Sequence, residues 1–425
     1  MKRFFKYTAL AIALIMLWVV LVFLGMDKGW WHTPFTQEKE PNAFVNAVQE
    51  ELQKESVGNM AIALFKDGKL VTEFFRSNDH TVDRNTIFQV ASLSKFVSAI
   101  GVMKLVQDGR LDLDAPAGRY LTRWQIPKSD FDNNGVTIRR LLSHTAGLTD
   151  GLGYAGFENS EDVQSLEASL TKAKDADSGS DGIMKVGVAP GSGWHYSGGG
   201  FTLLQLIVEE VSGQTFDAYM KTEVFQPLQM TSSFYQWDKT FEDRLCNFYK
   251  SDGSKAQHRY YTAQAASALY TTMADLEKLF HSFVKDSDIQ KPLSMEFRKR
   301  MAQVEAKTLG APIYGLGTFL YTEIKNGEFV IGHDGKNNPP INTAFRYNTV
   351  TNDGIIVLTT GSVDFATRMA SDWVFIQTGK VDALLFAMQQ GKMIQIITIG
   401  VIVILIPITL IGLIRREKIT VKITK

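Results

Sequence analysis

Ser92 and Lys95 stand three residues apart in the stretch Phe88-Gln-Val-Ala-Ser-Leu-Ser-Lys-Phe-Val-Ser-Ala-Ile100. On a helix that spacing puts both side chains on one face. A hydroxyl beside an amine is the minimum equipment for nucleophilic catalysis. A Lys desolvated by apolar neighbours loses its proton and can draw the proton off the Ser oxygen. The run Leu93, Phe96, Val97, Ile100, Met103, Leu105, Val106 predicts an amphipathic helix that begins at or next to Ser92. Its first backbone N–H groups would stabilise negative charge. The same spacing recurs at Ser169–Lys172 and Ser282–Lys285 without that context. For Ser92 itself, a capping Ser with a snorkelling Lys is the structural alternative.

Three further segments carry groups that chemistry uses: Leu141-Leu-Ser-His-Thr-Ala-Gly-Leu148, Ala189-Pro-Gly-Ser-Gly-Trp-His-Tyr-Ser-Gly-Gly-Gly-Phe201 and Gly332-His-Asp-Gly-Lys336. Tyr196, on a glycine-rich loop before a predicted helix, suits a general base or proton relay if a nearby Lys⁺ lowers its pKa. An aromatic anchor for the loop is the other reading. Gly198-Gly199-Gly200 lacks the Lys-Ser/Thr partner of a phosphate loop. His144 and His333 have no Glu or second His at a ligand spacing, so no metal or other cofactor is expected. A Gly-x-Ser-x-Gly elbow is absent, which removes the α/β-hydrolase reading.

The elements that must position these groups follow from patterning. Phe44 to Leu52 has helical spacing. Met60 to Phe65 and Leu70 to Phe75 flank a turn at Asp67-Gly68 and predict a hairpin. The Ser92 helix should stop near Gly109. From about 116 to 301 the chain reads as mostly helical with long loops, with 160–183 as a polar surface insertion. From Gly315 onward alternating apolar segments and turns at Asn326-Gly327 and Asn352-Asp353-Gly354 predict an antiparallel meander, closed by a helix over 365–377. The expected fold class is α+β: one antiparallel sheet built from both ends of the domain, flanked by helices, with an inserted mainly helical subdomain.

The 425 residues carry 45 basic and 45 acidic side chains, so nothing points to nucleic acid or an acidic tail. Residues 7–26 form an uncharged apolar run preceded by Lys2, Arg3 and Lys6. Its length suits a membrane helix, and no Ala-x-Ala-like site follows it. A cleaved signal peptide is the rival. Residues 393–414 form a second such run, followed by a basic tail, 415–425. Positive charge at the outer end of both runs predicts cytoplasmic termini and a domain on the far side of the lipid bilayer. Between the spans lie a linker, 27–43, and the domain, 44–378. Cys246 is the sole cysteine, so the domain must hold together through its core.

The order Ser-x-x-Lys, Tyr-Ser-x, then His-x-Gly on a late strand, with the Leu-Leu-Ser-His-Thr-Ala-Gly-Leu and Pro-Gly-x-x-Trp-x-Tyr-Ser segments, resembles the serine β-lactamase-like superfamily. The resemblance is to class C β-lactamases, D-Ala-D-Ala carboxypeptidases and their esterase relatives, over roughly 44–378. It implies Ser92 as the acylated nucleophile, Lys95 as its activator and Tyr196 as the group that shuttles protons to the leaving group. It implies backbone N–H groups of Ser92 and Lys336 as an oxyanion hole, and His333, Gly335, Ser197 and Gly198 as substrate-binding positions. One departure is plain: Gly198 stands where the family's second motif carries Asn, whose amide meets a substrate acylamide. The expected activity is a membrane-anchored serine hydrolase acting on an ester, an amide or a D-amino-acid peptide, including peptidoglycan stem peptides. A slow penicillin-binding or sensor-like protein and a non-catalytic cell-wall-binding domain are the alternatives.

Overall fold

The computed structural model describes residues 2–54, 58–150, 153–285 and 289–423. Eight strands carry the domain: β1 (Met60–Lys66), β2 (Lys69–Arg76), β3 (Ala306–Thr308), β4 (Ala311–Tyr314), β5 (Phe319–Lys325), β6 (Glu328–Asn337), β7 (Ile341–Asn348) and β8 (Gly354–Thr360). They form one antiparallel sheet in the order β2-β1-β8-β7-β6-β5-β4-β3. The expected hairpin turns at Asp67 and Gly68, both at positive φ (50° and 77°), the geometry that matches strand twist.

Strand β1 is apolar from Met60 to Phe65 because both its faces are covered there. Met60, Ile62 and Leu64 point to one core, with Phe44, Val48, Met369 and Trp373. Ala61, Ala63 and Phe65 point to the other, with Phe96, Phe280 and Phe345. The two-residue period of a strand produces this division. The first core is closed by α2 (Pro41–Leu52) and by the helix Phe365–Thr378; the second by α3 (Leu93–Gln107) and by the helix Met273–Phe283. In chain order the helices that matter are α1 (Lys2–Asp27), α2, α3, α4 (Gly198–Ser212), α5 (Met273–Phe283), α6 (Phe365–Thr378), α7 (Ala383–Met388) and α8 (Gln390–Ile423).

The His-x-Gly motif keeps its expected place on a late strand, since Gly332 to Lys336 fall inside β6; two other readings shift. The segment 160–183 is not merely a surface insertion, because Leu170 and Ala173 are buried in the main core. The β3–β4 edge hairpin had no sequence signal of its own; its strands are short and partly exposed.

Helices α1 and α8 lie side by side. The Trp18 indole donates to Ile396 O at 3.2 Å, and it occupies the space above Gly400, where a Cβ would sit 1.9 Å from the ring nitrogen. Their segments Phe5–Asp27 and Gln390–Ile411 have a mean hydropathy of 2.8 each, long and apolar enough to cross a membrane. Of the basic tail, Thr424 and Lys425 lie outside the described residues. The pair is fastened to the domain: Asp372 on α6 accepts from His32 at 2.6 Å and from Phe35 N at 2.8 Å.

A buried ion network ties α7 to the sheet. Arg346 on β7, fully enclosed, bonds Asp334 on β6 and reaches Asp382 at 3.5 Å. Asp382 is itself buried and caps α7 by accepting from Leu385 N at 2.8 Å. Removing the cation strands two carboxylates. Arg346→Ala is therefore expected to lower stability by about 3–5 kcal/mol. Double replacement with Asp382→Asn should recover part of that loss. Chemical denaturation of the three proteins checks both statements.

Candidate active site

Ser92 sits at the N-terminus of α3 with φ −65° and ψ −9°, and its side chain makes no capping hydrogen bond. The preceding Ala91 has φ 48°, an uncommon conformation for a residue with a Cβ. It is held there by Ser94, whose N and Oγ both donate to Ala91 O (2.9 and 2.5 Å). The turn frees the Ser92 hydroxyl from helix duty and presents it to Lys95.

Lys95 does not snorkel: it is 2% exposed. Its Nζ donates to Ser92 Oγ at 3.1 Å and to Ala266 O at 2.9 Å, and it lies 5.0 Å from the centre of the Tyr196 ring. Burial lowers its pKa to about 7, against the opposing pull of Asp150 and Asp177. Near neutral pH a substantial fraction of this amine is uncharged and able to accept a proton.

Tyr196 behaves in the opposite way. Burial raises its pKa, and a hydrogen bond with the Ser92 side chain offsets this only in part. The expected lowering by Lys⁺ is absent. Tyr196 stays a neutral phenol, so of the two groups Lys95 has the pKa of a base and Tyr196 that of a relay.

The Leu141–Leu148 segment explains why Tyr196 stands where it does. His144, at φ 57°, accepts from Ser197 N on Nδ1 (3.1 Å), and its carbonyl accepts from His195 N (2.8 Å). Two bonds thus bracket Tyr196, and the His144 ring lies 4.3 Å from its ring. Burial holds His144 well below the usual imidazole range, so it supports the loop as a neutral group.

From the other side comes β6. His333 is enclosed, with Nε2 3.0 Å from the Tyr314 hydroxyl and Nδ1 2.6 Å from Asp334 O. Burial, and secondarily the Lys95 charge, lower its pKa to about 3. At Gly335 a Cβ would stand 2.0 Å from Val90 O, so only glycine lets β6 approach the turn that carries Ser92.

Ser92, Tyr196, His333 and Lys336 line one cleft of about 1060 Å³, with Lys95 and Gly335 directly behind it. Ser197 and Gly198 do not line it. Ser197 is buried: its hydroxyl accepts from Gly200 N at 2.9 Å to cap α4 and donates to Asp150 at 2.7 Å. Gly198 is the buried first residue of α4. The other Ser-x-x-Lys pairs are not built this way: Lys172 and Lys285 are exposed, and Ser282 donates to Leu279 O at 2.6 Å. Sequence reasoning missed Asp150, Asp334 and Arg346. For Arg346 a signal existed, since a cation in an apolar strand demands buried carboxylates.

The fold is that of the β-lactamase and penicillin-binding protein superfamily of serine hydrolases. Residues 44–376 match the beta-lactamase family model, and the chain belongs to that family. Penicillin-binding protein 4* of Bacillus subtilis is 33% identical over 153 residues, which is 35% of this chain and 30% of that protein. Protein flp of Staphylococcus aureus strain NCTC 8325 is 25% identical over 76% of this chain and 63% of its own length. The chain thus spans less than two thirds of these curated relatives. Among solved structures, the octameric penicillin-binding protein homologue from Pyrococcus abyssi superposes with a TM-score of 0.64 at 24% identity, covering 80% of this chain and 78% of that one. A beta-lactamase/D-alanine carboxypeptidase from Pseudomonas syringae gives 0.63 at 16% identity, over 78% and 98%.

The depressed Lys95 pKa links to stability with a definite sign. Between about 7 and the ordinary 10.5 the unfolded chain holds a proton on Lys95 that the folded chain has lost. Folding stability from this group therefore rises with pH across that window and is lowest below about 7. Wild type compared with Lys95→Met should show this slope in denaturation midpoints between pH 7 and 10. Parallel pH profiles for the two proteins would overturn the assignment.

Proposed function

We propose that the chain is a membrane-anchored serine hydrolase that works through an acyl-enzyme on Ser92. The observation that carries this reading is the buried Lys95 amine, 3.1 Å from Ser92 Oγ and titrating at about 7. Neutral Lys95 takes the Ser92 proton as Oγ attacks a carbonyl carbon. The oxyanion is received by the backbone N–H groups of Ser92 and Lys336. Tyr196 passes a proton to the leaving group as the bond to it breaks, leaving the acyl group on Ser92. Water, losing its proton to the same pair, then releases the acid and restores Ser92. His333 and Gly335 set the strand that edges the cleft.

The substrate is an ester, an amide or a D-amino-acid peptide. The second reading is a protein that is acylated by β-lactams and turns over slowly, since position 198, a glycine buried at the start of α4, presents no amide to an acylamide group. Fluorophosphonate should label Ser92, and the labelling rate should rise as pH increases through about 7, with Lys95 deprotonation. Ser92→Ala should abolish the adduct. Lys95→Ala and Tyr196→Phe should each lower ester turnover by ~100-fold or more, and the two effects should not add. Undiminished labelling in Ser92→Ala, read by intact-protein mass spectrometry, would remove Ser92 from the mechanism. Trapping of penicillin on Ser92 without ester turnover would favour the second reading.

The large exposed apolar side chains of α1 and α8, such as Met16, Ile399 and Val403, support lipid as their surroundings. With cytoplasmic termini, the domain works on the far side of the cytoplasmic membrane. Protease added to intact spheroplasts should digest it; protection until lysis would reverse the topology.

A further inference from the structure

The cleft that holds Ser92 has an aliphatic wall in the segment leading into α8, in addition to the aromatic side chains of Trp194, Tyr196 and Phe319. Leu384, Ala387 and Met388 of α7 line the cleft together with Val363. Met388 and Val363 are 40% and 43% exposed, so apolar surface faces the open cleft. Met388 is the last residue of α7, and only Gln389 separates it from Gln390, the first of α8. Two peptide units span at most about 7 Å, and residues 390–392, polar and helical, add about 4.5 Å before the apolar run begins at Met393. The polar layer on each side of a bilayer's hydrocarbon core is about 5–8 Å thick. The rim of the cleft therefore sits at, or a few ångströms above, headgroup depth when α8 spans.

The neighbouring residues agree. The end of α1 lies under α7, with the Phe23 and Phe386 rings 5.3 Å apart. Trp30 and Trp31 follow it, Trp30 is 62% exposed, and Lys392 of α8 bonds Trp31 O. Tryptophans and a lysine at one level are the usual anchors of a membrane boundary. The wall is also rigidly placed relative to the chemistry. Asp382 caps α7 and joins Arg346, which holds Asp334, the residue between His333 and Gly335. Polar groups, among them Asp177, Lys336 and Asn338, line the same cleft together with the rings of Trp194, Tyr196 and Phe319.

We propose that the substrate is an amphiphile resident in the membrane leaflet that faces the domain. Its apolar chain lies along Val363, Leu384, Ala387 and Met388, while its ester or amide reaches Ser92. This rests on the acyl-enzyme reading above and adds the substrate class to it. A water-soluble peptide has no use for a wall of this kind at this depth.

The test uses the full chain in phospholipid vesicles and two alkyl fluorophosphonates, one with an ethyl and one with a hexadecyl chain. Labelling of Ser92 is followed by mass spectrometry. The hexadecyl probe should react faster than the ethyl probe by about tenfold or more, from burial of its chain. Partition into the vesicle concentrates that probe for any anchored protein, so the variants decide. Met388→Gln and Val363→Asp should each cut the hexadecyl-to-ethyl ratio severalfold, since both positions are open to the cleft and tolerate polar groups. Two separate positions guard against one misfolded variant. A ratio unchanged in both variants, or a wild-type ratio near one, overturns the amphiphile proposal while leaving the acyl-enzyme intact. No adduct on Ser92 with either probe overturns both.

Discussion

Taking the Lys95 ammonium out of water costs more than its hydrogen bonds to Ser92 and Ala266 return, and that imbalance is what lowers its pKa to about 7. The surrounding structure maintains the imbalance. Helix α3 is buried on nearly every side, so the amine has no path to solvent along its own helix. Tyr196 and Phe201 close over it with ring centres 5.0 and 5.9 Å away. Asp150, bonded to the Ser197 hydroxyl, pulls the Lys95 pKa upward, but by less than burial lowers it. The two histidines nearby are both held neutral by burial, so neither competes as a base or adds a fixed positive charge.

The same principle appears in the second ionic cluster with the opposite outcome. Arg346 is as deeply buried as Lys95, yet it stays charged because two carboxylates and the Tyr321 ring face it. A guanidinium cannot be neutralised by burial as an amine can. One buried cation is thereby brought close to neutrality, and the other is held charged. The first stands beside the hydroxyl; the second ties the strand that edges the cleft to the short helix below it.

Much of this was legible in the sequence, for identifiable reasons. The Asp67-Gly68 turn and the alternating segments after Gly315 declared a hairpin and a meander because strand period and turn chemistry are local properties. Ser92, Lys95, Tyr196 and His333 were visible as reactive types in ordered segments. What could not be read was mutual placement. Ser197 and Gly198 lie next to Tyr196 in the chain, but the start of a helix turns them inward, away from the cleft. Burial is a tertiary property, so the sequence left open which way the Tyr196 pKa shifts, and the structure shows it raised. The edge hairpin β3–β4 was invisible because strands of three and four residues are too short to show a period.

The pairing of β1 with β8 has a consequence for how the protein comes into being. Met60 meets Thr359, and the partners lie at opposite ends of the domain. Such a sheet has high contact order, and its central register cannot form until nearly all of the domain has been made. In a chain made from its N-terminus onward, the strand that completes the sheet is among the last to arrive, ahead only of α6, α7 and α8. Until then β1 has β2 alone beside it, and its second edge waits for residues 354–360. Closure of the sheet and completion of the domain become a single event.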